Sequence, residues 1–297
     1  MTGSKQIATV HGPGSTHWVG DGFPVRNLFP SNGVSSQVDP FLMLDYAGPR
    51  LFDATDRPRG VGEHPHRGFE TVTIVYQGAL EHRDSAGHSG TIGPGDVQWM
   101  TAGSGVVHEE MHEREFSRRG GIFQAVQLWV NLPRARKMSA PGYQTLLDAE
   151  IPVASLGNAG QVRVIAGELD GVRGPAHTFT PLNVWDVRLR AGGRAELDLP
   201  AGHNAAVALL HGEVNLHNAA APLEDGQPLR GEALLAVLSA GAGRVVLDAK
   251  ADSTLLMLTG QPIGEPVASY GPFVMNTREE ILKAAEDYNA GRMGRLE

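Results

Sequence analysis

Four side chains in the first half of this chain have the types and the spacing to bind a metal ion. His64 and His66 lie in the run Glu63-His64-Pro65-His66-Arg67-Gly68-Phe69-Glu70. Residues two apart in a strand leave the same face. Forty-two residues after His66 comes His108, with Glu110 two further on. A His-x-His pair and a His-x-Glu pair on separate strands, facing into one barrel, put four ligands around one point. Imidazole suits iron, nickel, copper or zinc, and one carboxylate leaves a divalent complex with a single positive charge. A six-coordinate iron held this way keeps two positions open, as a redox or Lewis-acid centre needs.

Other residues in the same half compete for these roles. Glu70 lies four past His66, with matching parity, and rivals Glu110 as the carboxylate. His82, His88 and His112 are further imidazoles, and His112 shares the parity of Glu110. They are expected at the surface or behind the ligands. Phe41, Met43 and Trp99 could line a pocket, but buried core is their expected role.

The elements that must carry these residues are short strands. Strand-like runs such as Phe41–Asp45, Thr71–Tyr76, Gly90–Ile92 and Ala125–Val130 alternate with glycine turns. Gly93-Pro94-Gly95-Asp96 is a tight-turn signal between the two ligand pairs. A connector follows from Leu132 to Gly142, then a second strand-rich region from about Ile151 to Gly260. Such spacing suits sandwiches or barrels. The halves look alike: Thr71–Tyr76 runs into Gly78 as Ala205–Leu210 runs into Gly212, an offset of 134 residues. At that offset His64 and His66 fall on Asp198 and Pro200, and His203, His211 and His217 do not reproduce the paired pattern, so a second site is not expected. The tail differs. Thr277 and Glu280 have capping-box spacing, Ile281, Ala285 and Tyr288 fall on one helical face, and Gly291 can end the helix. A helix over Thr277–Ala290 follows, with packing as its task.

The bulk numbers limit the function classes. A length of 297 residues suits about two domains, and 41% hydrophobic residues suffice for real cores. The net charge of -8 argues against a nucleic-acid binder. The tightest basic cluster, Arg134, Arg136 and Lys137, sits in the connector and reads as a solvated linker. No cysteine is present, which excludes disulfides and thiolate metal sites. Met1–Val10 has no apolar core of signal-peptide length, and no apolar run approaches a membrane span. A cytoplasmic location is the default expectation.

Longer motifs carry a resemblance. Asp39–Asp45 reads D-P-F-L-M-L-D, His64–Val72 reads H-P-H-R-G-F-E-T-V, and Gly93–Met111 reads G-P-G-D-V-Q-W-M-T-A-G-S-G-V-V-H-E-E-M. With Leu128–Pro133, Lys137-Met138 and Gly264–Thr277, these make the chain resemble the pirin family of the cupin superfamily over nearly its whole length. The resemblance implies an all-β bicupin: two jelly-roll-type β-barrels with a short C-terminal helix. Residues 1–135 would form the metal-binding cupin domain. Residues 136–297 would form a C-terminal cupin domain that lacks ligands and ends in the helix. It also implies one divalent metal, Fe(II) first with Ni, Cu, Mn, Co or Zn as alternatives, held by His64, His66, His108 and Glu110. The general cupin pattern would favour Glu70; the pirin pattern makes it a residue behind the ligands.

Two functions follow from the resemblance. In the first, the protein resembles quercetin 2,3-dioxygenases and cleaves a flavonol with O2, with Glu110, or Glu70, as catalytic base. In the second, it is a non-enzymatic iron-binding regulator that acts on a transcription factor or metabolic enzyme according to redox state.

Overall fold

The computed structural model describes residues 5–29, 35–218, 226–239, 241 and 243–296. Contacts divide the chain into two compact units, Met1–Ser15 with Asn27–Phe41 and Ala149–Ile263, and Thr16–Arg26 with Leu42–Asp148 and Gly264–Glu297. The second of these carries the candidate ligands. Strand β1 (Ile7–His11) and helix α1 (Ser35–Val38) belong to the other.

The ligand-bearing unit is built from β2 (Thr16–Val19), β3 (Phe23–Asn27), β4 (Phe41–Phe52), β5 (Gly60–His66), β6 (Phe69–Gln77), β7 (Leu80–Asp84), β8 (Ser89–Ile92), β9 (Val97–Thr101), β10 (Val106–His112), β11 (Gly121–Asn131) and β12 (Gly142–Leu146), with α2 (Arg114–Arg119) between β10 and β11. The strands form a seven-stranded sheet, β12-β9-β6-β11-β4-β3-β2, and a four-stranded sheet, β5-β10-β7-β8. The β-branched run of β6, Phe69-Glu-Thr-Val-Thr-Ile-Val75, is buried on both faces. Register places Thr73 opposite Gln98 on one side and Gln127 on the other. These three side chains share one face, and all reach Glu110 on the four-stranded sheet. That face is therefore the inside of the unit. Trp99 and Val72, next in register, point to the opposite face. Phe41 and Trp99 are core residues at 1% and 0% exposure, and Met43 is half-buried.

The other unit contains β13 (Val153–Ser155), β14 (Gly160–Ala166), β15 (Glu168–Leu169), β16 (Val172–Arg173), β17 (Leu182–Leu189), β18 (Arg194–Leu199), β19 (Asn204–Asn218), β20 (Gln227–Leu238), β21 (Gly243–Ala249) and β22 (Ser253–Gly260). Its main sheet runs β1-β20-β19-β22-β17-β14-β13, with β21 joining β18 to β19. Trp185, Leu197, Leu209 and Met257 belong to its core. Asp198, the positional counterpart of His64, pairs with Arg244 at 2.8 Å.

The tail departs from the sequence-based division at residue 135. The hairpin β23 (Ala268–Tyr270) and β24 (Phe273–Met275) and the helix α3 (Arg278–Asn289) belong to the ligand-bearing unit. Phe273, Met275, Ile281, Ala284 and Met293 cluster with Val107, the neighbour of His108. The Val274 amide donates to the Arg67 carbonyl at 3.0 Å. The buried Arg67 guanidinium pairs with Asp287 at 2.8 Å. That pair rotates the helix from its expected face: Ile281, Ala284 and Asp287 are buried, and Tyr288 is exposed.

Lys137 also departs from expectation. It is 1% exposed, not a solvated linker residue. Its ammonium donates to Gly68 O, Asn131 Oδ1 and Val274 O at 2.7–2.9 Å, which satisfies all three of its donors. Burial pushes its pKa down to about 8, against the pull of Glu265 and Glu280.

The capping box of α3 forms as the spacing predicts. Thr277 Oγ1 accepts from the Glu280 amide, and the Glu280 carboxylate accepts from the Thr277 amide at 3.0 Å. Thr277→Ala should cost about 1 kcal/mol, read as a lower urea midpoint at unchanged m-value. An unchanged midpoint would mean the cap adds nothing to the docked tail.

Candidate metal centre

Strands β5 and β10 are antiparallel neighbours, and their register sets His64 opposite His108 and His66 opposite Val106. Three imidazoles thereby meet. Ring centroids lie 4.8 Å apart for His64–His66, 4.2 Å for His64–His108 and 4.9 Å for His66–His108. One nitrogen from each lies within 4.8 Å of the others. No other group of three such donors occurs among the described residues.

Hydrogen bonding selects which nitrogen. His64 Nδ1 bonds the Gly62 carbonyl at 2.8 Å, and His66 Nδ1 bonds the Pro272 carbonyl at 3.4 Å. A carbonyl only accepts, so both Nδ1 atoms carry the proton and both Nε2 atoms keep a lone pair. His108 Nδ1 faces His82 Nδ1 at 3.3 Å. His108 Nε2 is buried and has no hydrogen-bond partner. A buried polar atom without a partner is costly, and a metal would satisfy it. Burial holds His66 well below the usual imidazole range, and His64 adds repulsion that the Pro272 bond only partly offsets. Burial, reinforced by His66, His64 and His82, does the same to His108. Neutral imidazoles are the form that binds metal. The donor set fits a divalent ion.

Glu110 lies outside the three-histidine group. It faces the same interior, where Gln98, Thr73 and Gln127 donate to its carboxylate at 3.2, 3.1 and 2.8 Å. Glu70 is on the other side of the sheet. It pairs in register with Thr101 and accepts that hydroxyl's hydrogen bond at 2.7 Å, facing away from Thr73 and Gln98. The parity that made it a rival does not survive the turn at Arg67-Gly68, because His66 ends β5 and Phe69 starts β6. Burial raises its pKa to about 7 despite the Thr101 bond.

His112 also faces inward, but into an aromatic nest of Phe23, Phe52, Phe116 and Phe123. Its Nε2 bonds the Gly22 carbonyl at 3.0 Å, and burial pushes its pKa down to about 4.

Beside His64 and Glu110 lies a cavity of about 50 Å³, walled by Val19, Phe23, Val25 and Ala47. It has room for a few water-sized molecules. Its outer wall is the β2–β3 hairpin, latched where the Gly60 amide donates to Asp21 Oδ1 at 2.7 Å.

Residues 22–130 match the family model described as pirin, and residues 184–294 match the pirin C-terminal cupin domain. The chain belongs to the pirin family. A protein of Pseudomonas aeruginosa bearing the name "Putative quercetin 2,3-dioxygenase" is 53% identical over 97% of this chain and 98% of its own. Pirin-like protein 2 of Arabidopsis thaliana is 40% identical over 93% of this chain and 81% of its own. The crystal structure of quercetin 2,3-dioxygenase from Acinetobacter baumannii superposes with a TM-score of 0.93 at 47% identity, covering 99% of this chain and all of that one. The fold is thus the two-domain cupin type of the pirins.

Three contributors to this pirin's site were not found from sequence. Pro272 is 206 positions from the histidine it orients, and only the docking of the tail brings it there. Gln127 lies in the predicted run Ala125–Val130 and Gln98 in none of the named runs, and nothing local shows that both reach one carboxylate.

Proposed function

We propose that this pirin is an iron(II)-dependent dioxygenase that opens a flavonol ring with O2. The observation that carries the reading is the set of three imidazoles whose nitrogens lie within 4.8 Å of one another, beside a carboxylate and a cavity. His64, His66, His108 and Glu110 are the residues we assign to the metal. Bound there, the metal would acidify the flavonol 3-hydroxyl and bring dioxygen into reach. Glu110 takes the hydroxyl proton, positioned by Gln98, Gln127 and Thr73. Val19, Phe23 and Val25 exclude water. Both oxygen atoms of O2 end on the carbons flanking the 3-carbon, which leaves with its own oxygen as carbon monoxide.

A flavonol is larger than the cavity, since sites for such molecules span about 300–1,000 Å³. The test is anaerobic loading with iron(II), then quercetin in air, following flavonol absorbance and released carbon monoxide. Glu110→Gln should lower turnover by about 10²–10⁴-fold, the usual loss of a general base. A fully loaded protein that leaves a panel of flavonols intact overturns the assignment.

A further inference from the structure

One arm of the metal centre is held by side chains rather than by backbone. His108 is the only one of the three histidines whose Nδ1 meets another imidazole. Behind it stands a chain of polar groups on β7, β9 and β12. His82 is 3% exposed, and its Nε2 lies 3.3 Å from Asp84 Oδ2. The same oxygen receives His88 Nδ1 at 3.0 Å. The other oxygen, Oδ1, accepts the backbone amides of Ala86 and His88 at 2.9 and 3.0 Å. These bonds from His82 and His88 keep the Asp84 carboxyl below its ordinary range although burial opposes them.

The direction of each bond follows from what each atom can do. An ionised carboxylate only accepts. His82 Nε2 must therefore carry its proton toward Asp84, which leaves Nδ1 as the atom that accepts. His108 Nδ1, 3.3 Å away, has to be the donor, which leaves Nε2 of His108 unprotonated. Gln98 Nε2 also approaches His82 Nδ1, at 3.4 Å. It too can only donate, so its presence enforces the same role for His82. Tyr143 settles the orientation of that amide by donating to Gln98 Oε1 at 3.0 Å. Its ring stacks on His82 with centroids 4.7 Å apart and planes at 22°, which holds the plane of the imidazole, while a flip within that plane would forfeit the bond to Asp84.

We propose that Asp84, His82 and Tyr143 form a positioning chain that fixes His108 in the tautomer with its proton on Nδ1 and its Nε2 lone pair directed at the metal. The chain does not touch the metal or a substrate. It acts through His108, as carboxylate–histidine pairs do behind other metal ligands. The inference rests on the reading that the three histidines hold a metal, and on nothing about flavonols.

The test compares Asp84→Asn, His82→Leu and His82→Gln with the parent. Asn keeps Oδ1 for the turn amides but offers His82 a donor, which reverses the chain. Leu removes the acceptor. Gln restores one, because its carbonyl can accept from His108 without help from Asp84. Nickel(II), stable in air, is the probe, titrated against a competing chelator. Asp84→Asn and His82→Leu should bind about 10–100-fold more weakly, and His82→Gln within about 3-fold of the parent, a rescue on the same scale. Imidazole tautomers are read directly in the metal-free protein by long-range ¹H–¹⁵N correlation spectra. His108 should be the Nδ1–H form in the parent and lose that preference in Asp84→Asn. Unchanged nickel affinity in both weak variants, or an Nε2–H His108 in the parent, overturns the chain. A parent that binds no nickel overturns the metal reading instead, and the tautomer spectra still decide the chain.

Discussion

Replacing His108 with alanine should abolish metal loading while leaving the chain folded. His108 is fully buried between the two sheets, and its Nε2 has no partner other than the proposed ion. Losing a ligand must cost more than losing a residue behind a ligand, which is already about 10–100-fold in affinity. A metal that binds only the folded chain stabilises it by about 4 kcal/mol at a thousandfold excess over its dissociation constant. For the parent this should appear as a rise in thermal midpoint on adding nickel(II) after chelation. The His108→Ala midpoint should not move at the same nickel concentration. The metal-free variant should stay folded, because Gln98 still donates to His82 and only one side chain's packing is lost. A variant that keeps the parent's nickel-dependent rise would show that the three-histidine point is not where metal binds.

The two candidate pairs could be read because both obey a local rule, and the structure brings three of the four side chains, His64, His66 and His108, to one point. His64 and His66, and His108 and Glu110, sit two apart inside single strands, and strand parity holds within a strand. Glu70 shows where that rule stops. Between His66 and Phe69 the chain turns through Gly68 at φ 88°, where any side chain would collide with the Val274 carbonyl. Parity counted across the turn put Glu70 on the wrong face. The helix α3 was readable because its cap is four residues of local sequence. Its docking was not, since Asp287 is drawn inward by Arg67, 220 positions away. Lys137 misled for the same reason: its acceptors come from residues 68, 131 and 274. His82 was expected at the surface or behind the ligands, but its partner Asp84 was not singled out, and Tyr143, which stacks on that imidazole, lies on a strand 61 positions on. Local periodicity thus locates candidate ligands and caps; what orients them is supplied by long-range contacts that carry no periodic signal.

Glu70→Gln should make the metal-free protein more stable at pH 8.5 and leave it unchanged near pH 4.5. Glu70 is 1% exposed, and the Thr101 hydroxyl and the Trp99 indole, the donors beside it, do not offset its burial. Burial lifts its pKa from 4.5 to about 7. In the unfolded chain the group ionises near 4.5. Between these values the folded chain holds a proton that the unfolded chain has released. Stability therefore falls as pH rises through this window, and above about pH 7 the full cost of a buried carboxylate is present, about 3 kcal/mol. Below pH 4.5 both states are protonated and the cost vanishes. Glutamine has the shape of the neutral acid and keeps an acceptor for Thr101, but it cannot ionise. His66, His108 and His112 also titrate differently in the two states, but they do so identically in both proteins and cancel from the difference. Urea midpoints at pH 4.5, 6 and 8.5, with chelator present, would trace the curve. A constant difference between the two proteins across that range would mean Glu70 ionises as if exposed. A variant less stable at pH 8.5 would mean a cation holds the carboxylate in its charged form.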